Sequence, residues 1–348
     1  MTTRHDSHPL PNLAARENAA HAEGTMKAIV FSRYGSPDVL ELKEIDKPVV
    51  KDDEVLIRIR AVGANPYDWR VMRGDPHLVR LSRGLRRPRN GTVLGSDMAG
   101  QVEAVGKNVR RFRPGDEVFA EVDQGGLAEY ISFPEKTLAL KPANVTFEQA
   151  AAVPMAALTA LQALRDRGRI EAGQEVLING ASGGIGTFAV QLAKAFGAEV
   201  TGVCSTRNLD LVRSIGADHV IDYTREDFTR GAQRYDLILD TVGNHSASAF
   251  RRALAPRGTL VVTGGGGGRW FGPATQVLKV MALSPFVSQR LVAVFGTPNS
   301  ADLDALKELI DAGEVTPVID RTYGWSEVPE AIRYLESRHT RGKVVITA

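Results

Sequence analysis

The chain of 348 residues contains one cysteine, Cys204. A single cysteine forms no internal disulfide and excludes every metal site built from several thiolates. It fits a reducing compartment, and we expect the protein in the cytoplasm. The chain also lacks a charge bias, with 43 Lys+Arg against 41 Asp+Glu. So even a balance offers no general attraction to nucleic acid or to a membrane surface. Aromatic residues are scarce, at 6%, and none is interleaved with the basic residues in the way nucleic-acid binding requires. No apolar run reaches the roughly 18 residues of a membrane span, because Val277 to Phe295 is broken by Lys279, Pro285 and Arg290. Residues 1–25 have no apolar stretch suited to a secretory signal. They also carry Asp6, Glu17 and Glu23, which a transit peptide avoids. They read as a disordered tail, and Met26 is a candidate start. What is present is ordinary globular composition, 43% hydrophobic and 24% charged, in a length that suits about two domains.

From Met26 to about Lys141 the pattern is of short strands between turns. Val55–Ile59 and Gly100–Val105 are examples, and Arg113-Pro114-Gly115-Asp116 is a turn feeding Glu117-Val118. This spacing predicts a small, mainly β, barrel-like unit. Near Thr146 the pattern changes. A helix is predicted over Ala150–Leu164, with Pro154 inside it. Candidate strands then alternate with helices: Glu175–Asn179, Val200–Cys204, His219–Asp222, Leu237–Thr241, Thr259–Thr263 and Leu291–Phe295. Such alternation means a parallel sheet covered on both faces. A strand near Val318, a helix over Glu327–Ser337 and a strand over Lys343–Thr347 suggest a return to the first unit.

Residues 175–186 read EVLINGASGGIG. A short apolar strand meets a glycine-rich turn, and a helix follows. A pyrophosphate can approach the backbone only where side chains do not intervene, and the free N–H groups at the helix start then stabilise its charge. Ser182, Gly183, Gly184 and Ile185 supply the approach, and Gly186 lets the helix pack on the strand. With a strand before, a helix after and another strand about 20 residues on, the pattern is a dinucleotide fingerprint, although Ala181 replaces its first glycine. An NAD site places an acid at the end of the second strand. Here that strand runs into Ser205-Thr206-Arg207, two hydroxyls and a guanidinium, which predicts NADP(H).

Several further segments carry a family resemblance. They are Asn65-Pro66-Tyr67-Asp68, Gly95-Ser96-Asp97-Met98-Ala99-Gly100, Pro114-Gly115-Asp116, Ala152-Val153-Pro154, the glycine-rich turn itself, Asp240-Thr241-Val242-Gly243 and Arg341-Gly342-Lys343-Val344-Val345. In order and spacing the chain resembles a zinc-independent medium-chain dehydrogenase/reductase of the quinone oxidoreductase type, over about 26–348. The resemblance implies an α/β protein: a GroES-like, mainly β catalytic domain (26–146 and 319–348) and a Rossmann domain with a doubly wound parallel sheet (147–318). It also implies cofactor contacts at Thr159, Tyr223, Val242, Gly243, the Gly264–Gly268 run, Phe295, Gly296 and Lys343, and a homodimer paired near Leu291–Phe295. Zinc-dependent relatives place a cysteine and a His-Glu pair where this chain resembles them at Asn65 and Ser96-Asp97. Asn and Ser are poor zinc ligands, so no metal is expected.

The expected activity is NADPH-dependent, metal-free hydride delivery to a quinone or an α,β-unsaturated carbonyl. The alternatives are a zinc-independent alcohol or carbonyl oxidoreductase, and a cofactor-binding protein with a structural or interaction role. Without a metal the developing oxyanion needs a donor. Asn65 is the first candidate through its amide, and Tyr67 the second as donor or proton source. Asp68 is expected to order the loop. The arginine-rich stretch Arg70–Arg89 reads as a solvated flap, and Cys204 as a small buried hydrophobe.

Overall fold

A computed structural model of the protein describes residues 24–88, 92–263 and 287–347. The first strands are β1 (Thr25–Phe31), β2 (Glu41–Asp46), β3 (Glu54–Ala64), β4 (Thr92–Val93), β5 (Asp97–Val105), β6 (Glu117–Glu121), β7 (Tyr130–Pro134) and β8 (Ala139–Leu140). Then come β9 (Glu175–Asn179), β10 (Glu199–Cys204), β11 (His219–Asp222), β12 (Tyr235–Asp240), β13 (Leu254–Val262), β14 (Arg290–Ala293), β15 (Ile319–Gly324) and β16 (Lys343–Thr347). Thr25 already pairs with Asp46, so β1 takes in the last residue expected in the tail. The rest of that tail, and Gly264–Gly268, lie outside the described residues.

Strands β9 to β14 make a six-stranded parallel sheet in the order β11-β10-β9-β12-β13-β14. Counted from β9 this is the order 3-2-1-4-5-6 of a doubly wound Rossmann sheet, whose direction reverses between β9 and β12. Its central strands are apolar runs because helices cover both faces. Val176, Leu177 and Ile178 of β9 are all fully buried.

The mainly β part contains a seven-stranded sheet, β15-β16-β3-β5-β6-β8, with β7 also paired to β3. A three-stranded sheet, β2-β1-β4, lies beside it. The late strand β16 pairs with β3 from the early chain, the expected return. This is the GroES-like plus Rossmann architecture.

The helix expected over Ala150–Leu164 is broken. One short helix covers Phe147–Ala151, a second covers Pro154–Leu161, and a π-helical turn follows over Gln162–Gly168. Pro154 has no N–H to continue the first helix, so it opens the second at its first turn. That break turns the Met155 N–H toward the β-rich part of the molecule, where it donates to Asp97 Oδ1 at 3.0 Å.

Candidate active site

The helix after β9 runs over Gly184–Ala195, with Gly183 at its N-cap. A Cβ at position 186 would stand 2.1 Å from the Gly180 carbonyl oxygen, so only glycine allows the helix to lie this close to the strand. A Cβ at Gly183 would meet nothing nearer than 3.4 Å, so that position faces room. Along the C-terminal edge of the parallel sheet, Tyr223, Val242 and Phe295 are 57%, 42% and 64% exposed. They follow the ends of β11, β12 and β14, on either side of the β9 glycine turn in the sheet order, and make that edge an apolar margin. Gly243 is reached through Asp240, whose Oδ1 accepts the Val242 and Gly243 N–H groups at 3.1 and 3.0 Å. Thr159 donates to the Met155 carbonyl oxygen, and its Oγ1 lies 2.8 Å from where a Cβ on Gly296 would stand.

At the end of β10, Arg207 donates to the His339 carbonyl oxygen at 2.7 Å. The Thr206 hydroxyl donates to Asp222 Oδ2. Asn208 donates to the hydroxyls of Ser182 and Ser205 at 2.9 and 3.4 Å, and its own Oδ1 is buried without a partner. Neither Asn208 nor Asp222 figured in the sequence reading. Asp222 is an acid at this corner that the second strand did not reveal, because it belongs to β11. Its carboxylate is held below the usual range by hydrogen bonds from Thr206 and then Thr224. A glycine turn, an apolar margin and a buried unpartnered amide oxygen suit a dinucleotide. Ser182–Gly186, Ser205–Arg207, Tyr223 and Val242–Gly243 would hold it.

Across from this edge lies a buried polar cluster of Asn65, Asp68, Ser96, Asp97 and Lys343, each at most 3% exposed. Asn65 caps the helix Pro66–Arg73, and the Asp68 carboxylate takes its backbone N–H at 2.7 Å. The Ser96 hydroxyl donates to Asp68 Oδ1 at 2.9 Å. The Asn65 amide donates to Asp97 Oδ2 at 2.8 Å and to Ser96 Oγ and the Gly63 carbonyl oxygen at 3.3 Å. Lys343 donates to Asn65 Oδ1 and to Asp97 Oδ2. Burial raises the Asp68 carboxyl to about 7. Burial also raises Asp97, against the pull of Lys343.

These positions change two expectations. The Asn65 amide hydrogens are engaged inside the cluster, which leaves none for a substrate carbonyl. Lys343 was expected at the cofactor. Its ammonium is instead buried against Asn65 and Asp97, and only its stem reaches the glycine turn, 3.3 Å from where a Cβ on Gly184 would stand. The cluster is joined to that turn through backbone. Gly342 N–H donates to the Ser182 carbonyl oxygen at 2.9 Å, and Gly183 bridges Gly342.

The Tyr67 hydroxyl donates to Asp123 Oδ1 at 2.9 Å and accepts from Arg83 at 2.6 Å. Burial and then the Asp123 charge raise its pKa above the ordinary phenol value, which makes it a weak proton source. Three arginines of the basic stretch are fastened. Arg73 pairs with Glu336, Arg80 donates to the Gly74 carbonyl oxygen, and Arg83 bridges Tyr67 and Asp123.

The residues at the zinc relatives' ligand positions do not suit zinc. They offer an amide, a hydroxyl and one carboxylate, and both oxygens of that carboxylate are already taken by Met155 N–H, Asn65 and Lys343. A cation of the protein's own, the Lys343 ammonium, already lies among them.

A Rossmann sheet with this glycine turn, joined to a GroES-like lobe through the Gly183–Gly342 bridge, defines a two-lobed nicotinamide oxidoreductase. The chain belongs to the medium-chain dehydrogenase/reductase family, among its quinone oxidoreductase-like members. It matches the family descriptions "Alcohol dehydrogenase GroES-like domain" over residues 51–143 and "Zinc-binding dehydrogenase" over residues 215–346. It is 37% identical to the NADPH-dependent alkenal/one oxidoreductase, chloroplastic, of Arabidopsis thaliana, over 92% of this chain and 79% of that one. It is 33% identical to the mitochondrial NAD(P)H oxidoreductase RTN4IP1 of Danio rerio, over 92% of this chain and 91% of that one. Among solved structures it resembles the quinone oxidoreductase from Coxiella burnetii, with a TM-score of 0.82 and 29% identity over 93% of this chain and all of the other. Among the described residues no helix is long and apolar enough to cross a membrane.

Proposed function

We propose that this protein is an NADPH-dependent reductase of α,β-unsaturated carbonyls or quinones that works without a metal. The observation that carries this reading is the Lys343 ammonium, buried among Asn65, Asp97 and Ser96, where zinc-dependent relatives hold their metal. The relatives named for alkenal/one and quinone reduction support the substrate class. The cofactor, when bound, supplies the hydride. Ser182–Gly186 orient its pyrophosphate, Arg207 with Ser205 and Thr206 would favour the 2′-phosphate, and Thr159, Gly296 and Phe295 would flank the nicotinamide half. Residues 26–146 with 319–348 would form the catalytic part, and 147–318 the cofactor part.

A second reading, NAD-linked alcohol or carbonyl oxidation, is favoured by one observation, the Asp222 carboxylate beside Thr206. The test is oxidation of NADPH, with NADH in parallel, against quinones, enones and aldehydes, with and without a chelator. Turnover of quinones or enones with NADPH, unaffected by chelator, is expected. Preference for NADH with reversible alcohol oxidation would replace the first reading with the second. Loss of activity with chelator would overturn the metal-free assignment.

A further inference from the structure

Six buried side-chain nitrogen and oxygen atoms have no hydrogen-bond partner among the described residues, and three of them belong to Glu121 (Oε2) and Gln124 (Nε2 and Oε1). An unsatisfied buried polar atom costs about 1–3 kcal/mol and calls for an explanation. Two such residues three apart in the chain point to a group that the described residues do not provide.

Their place in the fold says what that group is. Glu121 ends β6 and pairs in register with Asp97 of β5, so the two side chains leave the sheet on the same face. Asp97 is the acceptor for Met155, one helical turn before Thr159. The segment after β6 then runs beside Ser96, with Val122 N–H donating to its carbonyl oxygen, and Asp123 receives Tyr67. The end of β6 therefore lies where the polar cluster, the helix Pro154–Leu161 and the Tyr67 loop meet.

The charges there are unequal. Asp97 on β5, Asp68 on the Pro66–Arg73 helix and Asp123 on the following loop all face Glu121; the Lys343 ammonium on β16 offsets Asp97, and Arg83 pairs with Asp123. Lys343 is bonded to Asp97 and Asn65 and not to Glu121. Burial, followed by the Asp97 charge, raises Glu121 to about 8, so near neutral pH its carboxyl carries a proton. The other candidates are engaged: the Asn65 amide within the cluster, and the Tyr67 proton on Asp123.

We propose that Glu121 is the proton donor of the reduction and that Gln124 shares with it the binding of the substrate carbonyl oxygen. This rests on the enone or quinone reductase reading. With a reduced nicotinamide held by Ser182–Gly186, the conjugated system would gain two electrons and one hydrogen, and the negative charge would gather on the carbonyl oxygen beside Glu121 and Gln124. The Glu121 O–H bond breaks as an O–H bond forms on that oxygen, leaving a hydroquinone, or an enol that tautomerises in water. The Glu121 carboxylate then recovers a proton from solvent.

The test is steady-state reduction of an enone and a quinone by wild type and Glu121→Gln from pH 6 to 10. The amide keeps the shape and can hydrogen-bond, but it cannot give up a proton. A general acid contributes roughly 100- to 10,000-fold, so kcat should fall by at least about 100-fold while KM stays within about 3-fold. The wild-type decline above about pH 8 should disappear in the variant. Gln124→Leu should raise KM about 10-fold. The infrared band of protonated carboxyls at pH 7, to which Asp68 also contributes, should lose the Glu121 component in Glu121→Gln. Active wild type with a variant of unchanged kcat and pH profile would overturn this proposal alone. Wild type that turns over neither substrate class would overturn the underlying reading, and this proposal with it.

Discussion

Lys343 Nζ lies 3.2 Å from Asp97 Oδ2, and the two side chains are 3% and 0% exposed. They come from strands that β3 separates within one sheet. A pair this deep is weak evidence of net stability, but removing one partner leaves the other charged and dry. Lys343→Met and Asp97→Asn should therefore each cost about 3–5 kcal/mol in urea unfolding. The double variant should cost less than their sum by about 1–3 kcal/mol. Additive losses would mean that the two groups do not interact.

Glycines 183 and 186 should separate cofactor binding from folding. Gly186→Ala forces a Cβ against the Gly180 carbonyl oxygen and should lower stability by about 2–4 kcal/mol. Gly183→Ala meets no close atom and should fold with nearly unchanged stability. Its methyl group would nonetheless stand where the pyrophosphate approaches, so NADPH affinity should drop at least about 10-fold. Calorimetry and thermal unfolding of both variants check this.

Arg207→Ala should weaken NADPH binding roughly 10- to 100-fold, the worth of a charge-assisted hydrogen bond, and leave NADH almost unchanged. Equal weakening of both would mean that Arg207 acts through its bond to the His339 carbonyl oxygen and not on the 2′-phosphate.

Tyr67→Phe should reduce kcat by less than about 5-fold, because the hydroxyl proton is already held by Asp123 and the phenol is a weak acid there. Its loss takes one hydrogen bond each from Arg83 and Asp123, which stay paired with each other, so the visible change should be in KM and in protease sensitivity of the 79–88 segment. A kcat loss of about 100-fold would return Tyr67 to the role of acid.

Stability against pH should report Glu121. Its folded pKa of about 8 lies above the unfolded value of about 4.3, so the folded state binds the extra proton between them. Ionisation then penalises folding progressively as pH rises from about 4 to 8, and by a constant amount above that. Glu121→Gln lacks this penalty. Its stability relative to wild type should rise across that window, by up to about 5 kcal/mol, and then level. A difference independent of pH would show Glu121 ionised throughout.

The Rossmann half was legible because its signals are local. Mostly apolar strands of four to nine residues, a glycine turn and the intervening helices each occupy one short window, and the parallel order follows from their alternation. The break at Pro154 was visible too, yet alanine and leucine on both sides carried the helical expectation through it. The polar cluster was only partly legible. Asn65 with Asp68 three residues on has the spacing of a helix cap, and Asp97 sits in a segment that carries the family resemblance. Nothing local joins either to Lys343, which reads as an ordinary basic residue after a glycine. Glu121 was hidden by its own strand. In Glu117-Val118-Phe119-Ala120-Glu121 it looks like the polar face of an edge strand, and only the pairing with Asp97 turns it inward. Asp222 escaped because the rule for the ribose acid inspects the second strand, while this acid arrives on the third.

The order in which the cluster's members occur in the chain also bears on how the protein is made. Asp68, Asp97 and Glu121 are synthesised more than two hundred residues before Lys343, and strand β16, which carries that lysine, covers one side of β3. On the ribosome the early β-rich part therefore emerges with buried carboxyls that lack their cation and with a sheet whose edge is open. It cannot close until the entire parallel-sheet unit has been translated. A chaperone that shields β3 should matter most in that interval, and a nascent chain arrested before Lys343 should stay protease-sensitive at both ends of β3 even after its Rossmann part has folded.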